Sequence, residues 1–257
     1  MIVRLAQILA PIFIAVLVGW ALKRSGRSYP ADTIGVLVAD VGAPCLVFHA
    51  LVSLEVSGHT LEAVALASSL AILIFMVLGY LVLRVCGWPT NTFLPPIMFS
   101  NCGNLGIPLG LYAFGVQGEG LAVAVFAVFC AWQFSLGIWI WSGELSPRTL
   151  LRSPITAAAV LGVLCAMTDT AVPVWILNTA ELLGGLTIPL MLITLGVSLA
   201  SMRIHNLTRS LVISALRLLV GPLVGLMVSR LFGLEGMARA VLILQCAMPS
   251  AVFNYLL

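Results

Sequence analysis

Nine apolar runs, each close to the length that crosses a lipid bilayer, constrain the fold of this chain more than any other feature of its sequence. They cover residues 5–22, 33–52, 61–83, 91–115, 120–141, 154–168, 179–200, 209–230 and 238–257. A helix needs roughly 20 apolar residues to span the hydrocarbon core, and only the run 154–168 is clearly shorter. Charged residues make up 8% of the sequence, whereas a soluble domain has about 25%. The sequence therefore predicts an all-α, multi-pass integral membrane protein.

The distribution of basic residues predicts how the chain is oriented. If the N-terminus lies outside, the inside loops hold eight Lys and Arg residues, namely Lys23, Arg24, Arg27, Arg84, Arg148, Arg152, Arg203 and Arg209. The outer ends then hold only three, Arg4, Arg230 and Arg239. Basic residues are enriched on the cytoplasmic side of membrane proteins. We therefore expect the loops 23–32, 142–153 and 201–208 to face the cytoplasm, with the protein in the plasma or inner membrane. The first run lacks a small-residue cleavage site, which favours a retained helix over a secretory signal.

The charged and metal-binding residue types argue against several classes of function. The net charge of +3 is small and scattered, so nucleic acid is not an expected partner. The six cysteines lie singly, mostly inside apolar runs, which is typical of reduced packing residues rather than disulfides or metal ligands. No metal or other cofactor is expected. His49, His59 and His205 are scattered across both sides of the predicted membrane, and no paired-carboxylate or nucleophile-and-base pattern indicates an enzyme.

Two of the apolar runs contain helix breakers at membrane depth. The fourth predicted helix holds the segment 95–108, PPIMFSNCGNLGIP, and the ninth holds the segment 245–254, QCAMPSAVFN. An unpaired backbone group in lipid costs several kcal/mol, so a broken helix is tolerated only where protein or a watery cavity covers it. Interrupted helices at corresponding places in two halves of a chain are typical of a transporter's substrate site near the bilayer midplane. Proline and glycine kinks within packed helices are the alternative.

A weak internal repeat relates these two segments. The motif Arg-x-x-Gly ends the third predicted helix at 84–87 and the eighth at 230–233, an offset of 146 residues that also brings the interrupted segments into correspondence. Because five helices separate the copies, the second copy crosses the membrane in the opposite sense. This predicts two inverted repeats, residues 1–141 with helices 1 to 5 and residues 154–257 with helices 6 to 9. By the same offset a tenth helix would begin near position 265, so the final helix is expected to be missing from this sequence.

Four motifs carry a resemblance to a known family. They are Pro44-x-Leu46-x-Phe48-His49 in the second predicted helix, Asn101-x-x-x-Leu105-Gly106-Ile107-Pro108 in the fourth, Arg217-Leu218 with Pro222 in the eighth, and Gln245-x-Ala247-Met248-Pro249 in the ninth. With these motifs the sequence resembles, over essentially its whole length, the auxin efflux carrier family, including the bacterial members described as malonate or organic-anion transporters.

The resemblance implies a fold of ten helices in two inverted repeats, similar to bile-acid symporters, in which helices 4 and 9 are unwound where they cross. Helices 1, 2, 6 and 7 would form a scaffold, which suggests a homodimer, and the others a transport part. The resemblance places a substrate-contacting residue at Asn101 and crossover prolines at Pro108 and Pro249. Val47 stands where plant members carry a polar residue, which puts an auxin substrate in doubt.

The interrupted helices can supply the chemistry that an anionic substrate needs. A break leaves unpaired N–H groups and partial positive charge at the start of its second half, which suits a carboxylate. Amide side chains can orient that carboxylate, and glycines permit close backbone approach. The predicted substrate-binding residues are Asn101, Cys102, Gly103, Asn104, Gly106, Pro108, Pro249, Ser250 and Asn254. The alternative is that the asparagine side chains only satisfy the carbonyls freed by the breaks.

Two ionisable residues, Asp40 and Arg217, lie inside predicted helices. Counted from the inner ends of their helices at about 1.5 Å per residue, both are about 11–12 Å deep. An intramembrane charge normally has a partner, so we expect the two to form an ion pair. The alternatives are that Asp40 is a proton or counter-ion site, or that Arg217 meets the charge of the anion.

Together these features predict a secondary transporter that moves a small organic anion, a mono- or dicarboxylate, across the cytoplasmic membrane by alternating access. Coupling to protons or to sodium stays open. The alternatives are a sodium-coupled carrier similar to bile-acid symporters, and a channel or a sensor with the same fold.

Overall fold

The computed structural model describes residues 2–143, 152–168, 170–202 and 207–250, and these residues form helices without any β-strand. Within these ranges we number the helices in chain order: α1 (Ile2–Arg24), α2 (Ala31–Val52), α3 (Gly58–Cys86), α4 (Thr90–Met98), α5 (Cys102–Ser142), α6 (Pro154–Met167), α7 (Val174–Ser201), α8 (Leu207–Leu231) and α9 (Gly236–Ala247). Six of them, α1, α2, α3, α5, α7 and α8, are long and apolar enough to cross a membrane. The prediction of an all-helical, multi-pass membrane protein is confirmed.

The helix ends follow local sequence signals. At the start of α3, the hydroxyl of Ser57 accepts a hydrogen bond from the backbone N–H of Thr60 at 3.2 Å, as an N-cap does. The same helix ends at Gly87, which has φ of 67° and takes the left-handed conformation that glycine adopts most easily. Its length of 29 residues exceeds the predicted run 61–83, because the helix includes residues 58–60 before that run and 84–86 after it.

The fourth predicted helix, 91–115, is divided between α4 and α5. The chain is extended at Phe99, and helical structure resumes with a π turn at Cys102–Gly106. Inside α5 the backbone reverses at Gly115, which has φ of 74° and ψ of −166°. A Cβ added at Gly110 would lie 2.8 Å from the Cβ of Ala122, although twelve residues of straight helix would separate them by about 18 Å. The second half of the fourth predicted helix and the fifth are therefore a tight hairpin.

Glycines let the helices approach one another closely. Gly19 of α1 lies against the backbone of Ile193 in α7, and Gly196 of α7 lies against the carbonyl of Val16 in α1. Gly225 of α8 is close to α9, since an added Cβ would come 2.8 Å from the Cα of Ile243. Small residues at such crossings are typical of membrane helices, whose association depends on backbone approach and packing.

The apolar side chains divide between a packed interior and a surface that suits lipid. Phe75, Phe129 and Val241, from α3, α5 and α9, are almost completely buried in one core cluster. By contrast, Trp175 of α7 and Leu219 of α8 each expose 71% of their surface. Large exposed apolar surfaces are unfavourable in water, but they match the hydrocarbon of a bilayer. The burial pattern therefore agrees with a membrane location.

Candidate functional site

The two interrupted segments of the sequence lie side by side. Ser100 and Ser250 face each other in an isolated antiparallel β-bridge, and the backbone N–H of Asn101 donates to the carbonyl of Pro249 at 2.7 Å. The hydroxyl of Ser250 also donates to the carbonyl of Pro96 at 2.7 Å. We call residues 99–101 and 248–250 the paired breaks. Through them the C-terminal ends of α4 and α9 meet.

Proline chemistry explains where the first break lies. Pro95 and Pro96, within α4, have no N–H to donate, which weakens the helix near its end. The carbonyl of Asn101 then accepts from the N–H groups of Leu105 at 3.2 Å and Gly106 at 3.1 Å, which starts the π turn of α5. Helix α4 ends at Met98, a few residues before the interruption expected at 101–106.

The second break has the same local cause. Met248, the C-cap residue that follows α9, has φ of −62° and ψ of 142°. A residue before proline is driven out of the helical conformation by contact with the proline ring, and Pro249 follows. Helix α9 ends at Ala247, in agreement with the interruption expected at 247–250. Asn254, also predicted at this site, lies outside the described residues.

Asn101 is held at the centre of the paired breaks by its backbone. The residue is 4% exposed, and its side-chain amide makes no hydrogen bond to any residue that the structure describes. Cys102, Gly103 and Asn104 form the first turn of α5 after it. The first N–H groups of a helix have no acceptor within that helix. The side-chain amide of Asn101 and the N-terminus of α5 therefore lie next to each other.

The two predicted site glycines are points of close approach. A Cβ added at Gly103 would lie 2.8 Å from the ring of Phe126 and 3.2 Å from the Cε methyl of Met191. A Cβ at Gly106 would collide with the side-chain oxygen of Gln245. Gly103 therefore connects the site to α7, and Gly106 connects it to α9. Pro108, which is buried, follows in the first α-helical turn of α5.

Gln245 is a residue of this region that sequence reasoning left out of the site. It is fully buried, and neither its side-chain nitrogen nor its oxygen has a partner among the described residues. The hydroxyl of Ser100 is also buried without a described partner. Buried polar groups in proteins are nearly always hydrogen-bonded, to protein, water or ligand. The signal was present in the sequence, since Gln245 is an amide four residues before Pro249, and the residues between Arg239 and Gln245 are all apolar.

Arg217 of α8 is completely buried against both breaks. Its Nη1 donates to the carbonyl of Ile97 at 3.0 Å and approaches that of Met98 at 3.5 Å. Its Nη2 donates to the carbonyl of Cys246 at 3.2 Å, and its Nε lies 3.4 Å from the carbonyl of Met248. The guanidinium carbon stands 4.0 Å from the centre of the Phe75 ring. One side chain therefore contacts the C-terminal ends of α4 and α9 together.

The predicted ion pair between Asp40 and Arg217 does not form in this structure. Asp40 is exposed, in the π turn Val38–Gly42 of α2, whereas the donors of Arg217 all point to backbone carbonyls. The carbonyl end of a helix carries partial negative charge, so it can take the place of a carboxylate. The expectation failed because it considered only side chains as partners for the arginine.

Two open cavities lie away from the paired breaks. One, of about 640 Å³, is lined mainly by α3, α4 and the end of α5, including Tyr80, Leu94 and Trp139. The other, of about 370 Å³, lies at the ends of α2 and α6 and includes Glu55 and Cys165. Neither is lined by residues 99–101 or 248–250. The residues of the paired breaks are themselves buried, except Pro249, which is half-buried.

Comparison with known proteins identifies the family. A family model described as "Membrane transport protein" matches residues 5–143 and 139–257. The chain is 25% identical over 266 residues to an uncharacterized transporter of Methanocaldococcus jannaschii, with 96% of this chain and 86% of that protein covered. It is 29% identical over 256 residues to an uncharacterized transporter of Methanothermobacter thermautotrophicus, with 94% and 83% covered. This chain, with six helices suited to cross a membrane, therefore belongs to the membrane transport protein family.

Proposed function

We propose that this protein is a secondary transporter that moves a small organic anion across the cytoplasmic membrane by alternating access. The observation that carries the proposal is the pairing of two helix interruptions, linked by the Asn101 to Pro249 hydrogen bond, inside a membrane-spanning chain. Irregular backbone at membrane depth is kept where it lines a binding site. Membership of a transport family supports the same conclusion.

We further propose that residues 1–141 and 154–257 are inverted repeats whose interrupted helices cross near the bilayer centre. Helices α4 and α9 support this, because both are short, both are followed by an extended residue, and the chain after each pairs with the other at Ser100 and Ser250. The N-terminus would face outside, in line with the distribution of Lys and Arg residues. A homodimer through helices 1, 2, 6 and 7 rests on the resemblance to auxin efflux carriers alone.

The local charge favours an anion as substrate. The first turn of α5 presents the positive end of a helix, and the amide of Asn101 beside it can donate to a carboxylate. Behind the breaks, the positive charge of Arg217 meets the partial negative charge of the two helix ends, so the positive end of α5 remains for an anion. A positive region with uncommitted donors suits a mono- or dicarboxylate, of which malonate is the simplest dicarboxylate to try.

We assign the substrate contacts to Asn101, the first turn of α5 and Ser250, together with Asn254, which only the sequence places in this group. Asn104 is half-buried beside them, and Cys102 and Gly103 contribute backbone N–H groups. Asp40, which is exposed in a π turn of α2, is a candidate for coupling transport to protons or sodium. π turns inside helices often occur at functional positions. Transport of this kind needs no enzymatic step.

The test is uptake into proteoliposomes that contain the purified protein. Vesicles preloaded with unlabelled malonate, acetate or another carboxylate are diluted into the labelled compound, with and without proton and sodium gradients. We expect counterflow of at least one carboxylate, and its loss in the Asn101→Ala variant. If the protein remains monodisperse but exchanges none of the mono- and dicarboxylates, it is not an organic-anion transporter. Flux that does not saturate would instead favour a channel.

A further inference from the structure

We propose that Arg217 is a positioning residue: it holds the paired breaks at a fixed spacing, and the geometry of the anion site depends on that spacing. The first part stands on the contacts of Arg217 alone. The second part rests on the proposed function.

The donors of Arg217 reach both halves of the chain. Nη1 bonds to the end of α4 through Ile97, at 3.0 Å, and Nη2 bonds to the end of α9 through Cys246, at 3.2 Å. These two carbonyls are 149 positions apart in the sequence, and one rigid guanidinium contacts both. The distance between the helix ends is therefore set by the width of this group.

Electrostatics gives the contact a reason. The last carbonyls of a helix have no partner within it, and they carry partial negative charge. Two such ends brought together repel each other and leave buried acceptors unpaired. A cation between them satisfies the acceptors of both helices and cancels the repulsion. Arg217 is the residue that occupies this place, with no exposed surface.

The shape of the side chain matters as well as its charge. A guanidinium is planar and presents its donors in a fixed fork, whereas a lysine ammonium is a compact point charge. The plane is supported by the Phe75 ring of α3, at 4.0 Å from the guanidinium carbon. Arg217 thereby links α3 and α8 to the ends of α4 and α9. Lysine at this position would keep the charge but could not reproduce the fork.

The predicted anion site lies directly beyond these contacts. Met248, whose carbonyl is 3.4 Å from the Nε of Arg217, precedes Pro249, which accepts the hydrogen bond from Asn101. Movement of either helix end would shift Asn101 and the first turn of α5 relative to Ser250. Arg217 thus controls the site through the backbone, without contacting the substrate.

A disulfide between the two breaks measures their spacing without any ligand. Ser100 and Ser250 face each other in an antiparallel bridge, where Cα atoms are about 4.5–5.5 Å apart, a distance that a disulfide can span. The Ser100→Cys/Ser250→Cys protein is oxidised with copper phenanthroline, and the cross-linked peptides are quantified by mass spectrometry. Each single-cysteine variant controls for reaction with native cysteines. The pair is then combined with Arg217→Met, Arg217→Lys or Arg239→Met.

Arg239→Met is the matched control. Arg239 also donates from Nε to a carbonyl, that of Leu234 at 2.8 Å, but this bond lies at the start of α9, away from the breaks. We expect both Arg217 variants to form the disulfide about tenfold more slowly, the change that corresponds to losing one charge-assisted hydrogen bond, and Arg239→Met to leave the rate unchanged. If Arg217→Met does not fold, Arg217→Lys carries the test. An unchanged rate in folded Arg217→Lys protein overturns the positioning role.

The second arm asks whether the anion site depends on this spacing. Thermal shifts are measured against malonate and acetate, with sodium chloride at equal ionic strength as the control. We expect Arg217→Lys to need about tenfold more malonate for the half-maximal shift, in keeping with the linkage between binding and stability, and Arg239→Met to match the wild type. If the cross-link slows but no carboxylate shifts the wild type, the positioning role stands and the anion site is refuted. If malonate shifts all variants equally, the dependence of the site on Arg217 is refuted.

Discussion

Replacing Gly106 with alanine should destabilise the protein by crowding a buried amide. An alanine Cβ would collide with the side-chain oxygen of Gln245 and lie 2.7 Å from its Cδ and 2.8 Å from its Nε2. Gln245 has no exposed surface, so its amide cannot move into solvent. Overpacking of this kind costs about 1–3 kcal/mol, and the better helix propensity of alanine returns up to about 1 kcal/mol. We therefore expect a net loss of about 1–2 kcal/mol in the free energy of unfolding.

Two further variants make the Gly106 prediction specific. Gly35 of α2 has no heavy atom within 4 Å of an added Cβ, so Gly35→Ala should be neutral or stabilise by up to about 1 kcal/mol. Gln245→Ala removes the atoms that collide, so the Gly106→Ala/Gln245→Ala protein should be more stable than the sum of the single changes predicts, by about 1 kcal/mol. The assay is denaturant unfolding in mixed micelles. Additivity within about 0.5 kcal/mol, or a Gly106→Ala protein as stable as Gly35→Ala, would refute the reasoning.

Three further predictions test the site, the hairpin and the topology. Asn101→Ala should weaken the thermal shift caused by carboxylates while nearly preserving stability without ligand, because the side-chain amide has no hydrogen-bond partner among the described residues that its removal would leave unpaired. A large loss of stability with an unchanged ligand shift would assign Asn101 to the scaffold. Gly115→Ala should lower the free energy of unfolding by about 1–3 kcal/mol, because almost only glycine adopts φ of 74° with ψ of −166°. An unchanged free energy of unfolding would contradict this prediction. Ser28→Cys, in protein with the exposed Cys86 replaced by serine, should react with a membrane-impermeant maleimide only from the cytoplasmic side, and labelling from outside would reverse the proposed topology.

The sequence was most informative where the cause of structure is local. Run length and hydropathy predicted the membrane-spanning helices, because the bilayer fixes the length of an apolar helix. Prolines marked both interruptions within a few residues, since a missing N–H and the ring contact act on immediate neighbours. The runs 91–115 and 120–141 predicted the turn between the fourth and fifth helices at 116–119, and the backbone reverses beside it, at Gly115. The polar residues Gln117 and Glu119, with glycines on both sides, indicate a turn, but they do not show how closely its two arms pack.

The contacts across the breaks could not be read from composition, because they depend on which helices become neighbours. Gln245 and Gly106 meet only when α9 packs beside the first turns of α5. The same holds for Gly103, whose neighbours Phe126 and Met191 come from the second arm of α5 and from α7. Spacing along one helix predicts which residues share a face, but it does not identify the face of the partner helix.

Arg217 and the helix breaks explain one another energetically. A buried guanidinium is costly unless it is paired, and a buried helix end is costly because its last carbonyls lack donors. Each break alone, or the arginine alone, would be unfavourable in an apolar interior. Placed together, with Nη1 on the end of α4 and Nη2 on the end of α9, each satisfies the other without a carboxylate. A buried arginine in a sequence with two predicted helix breaks should therefore be tested first against the carbonyl ends of those breaks, and only then against acidic side chains.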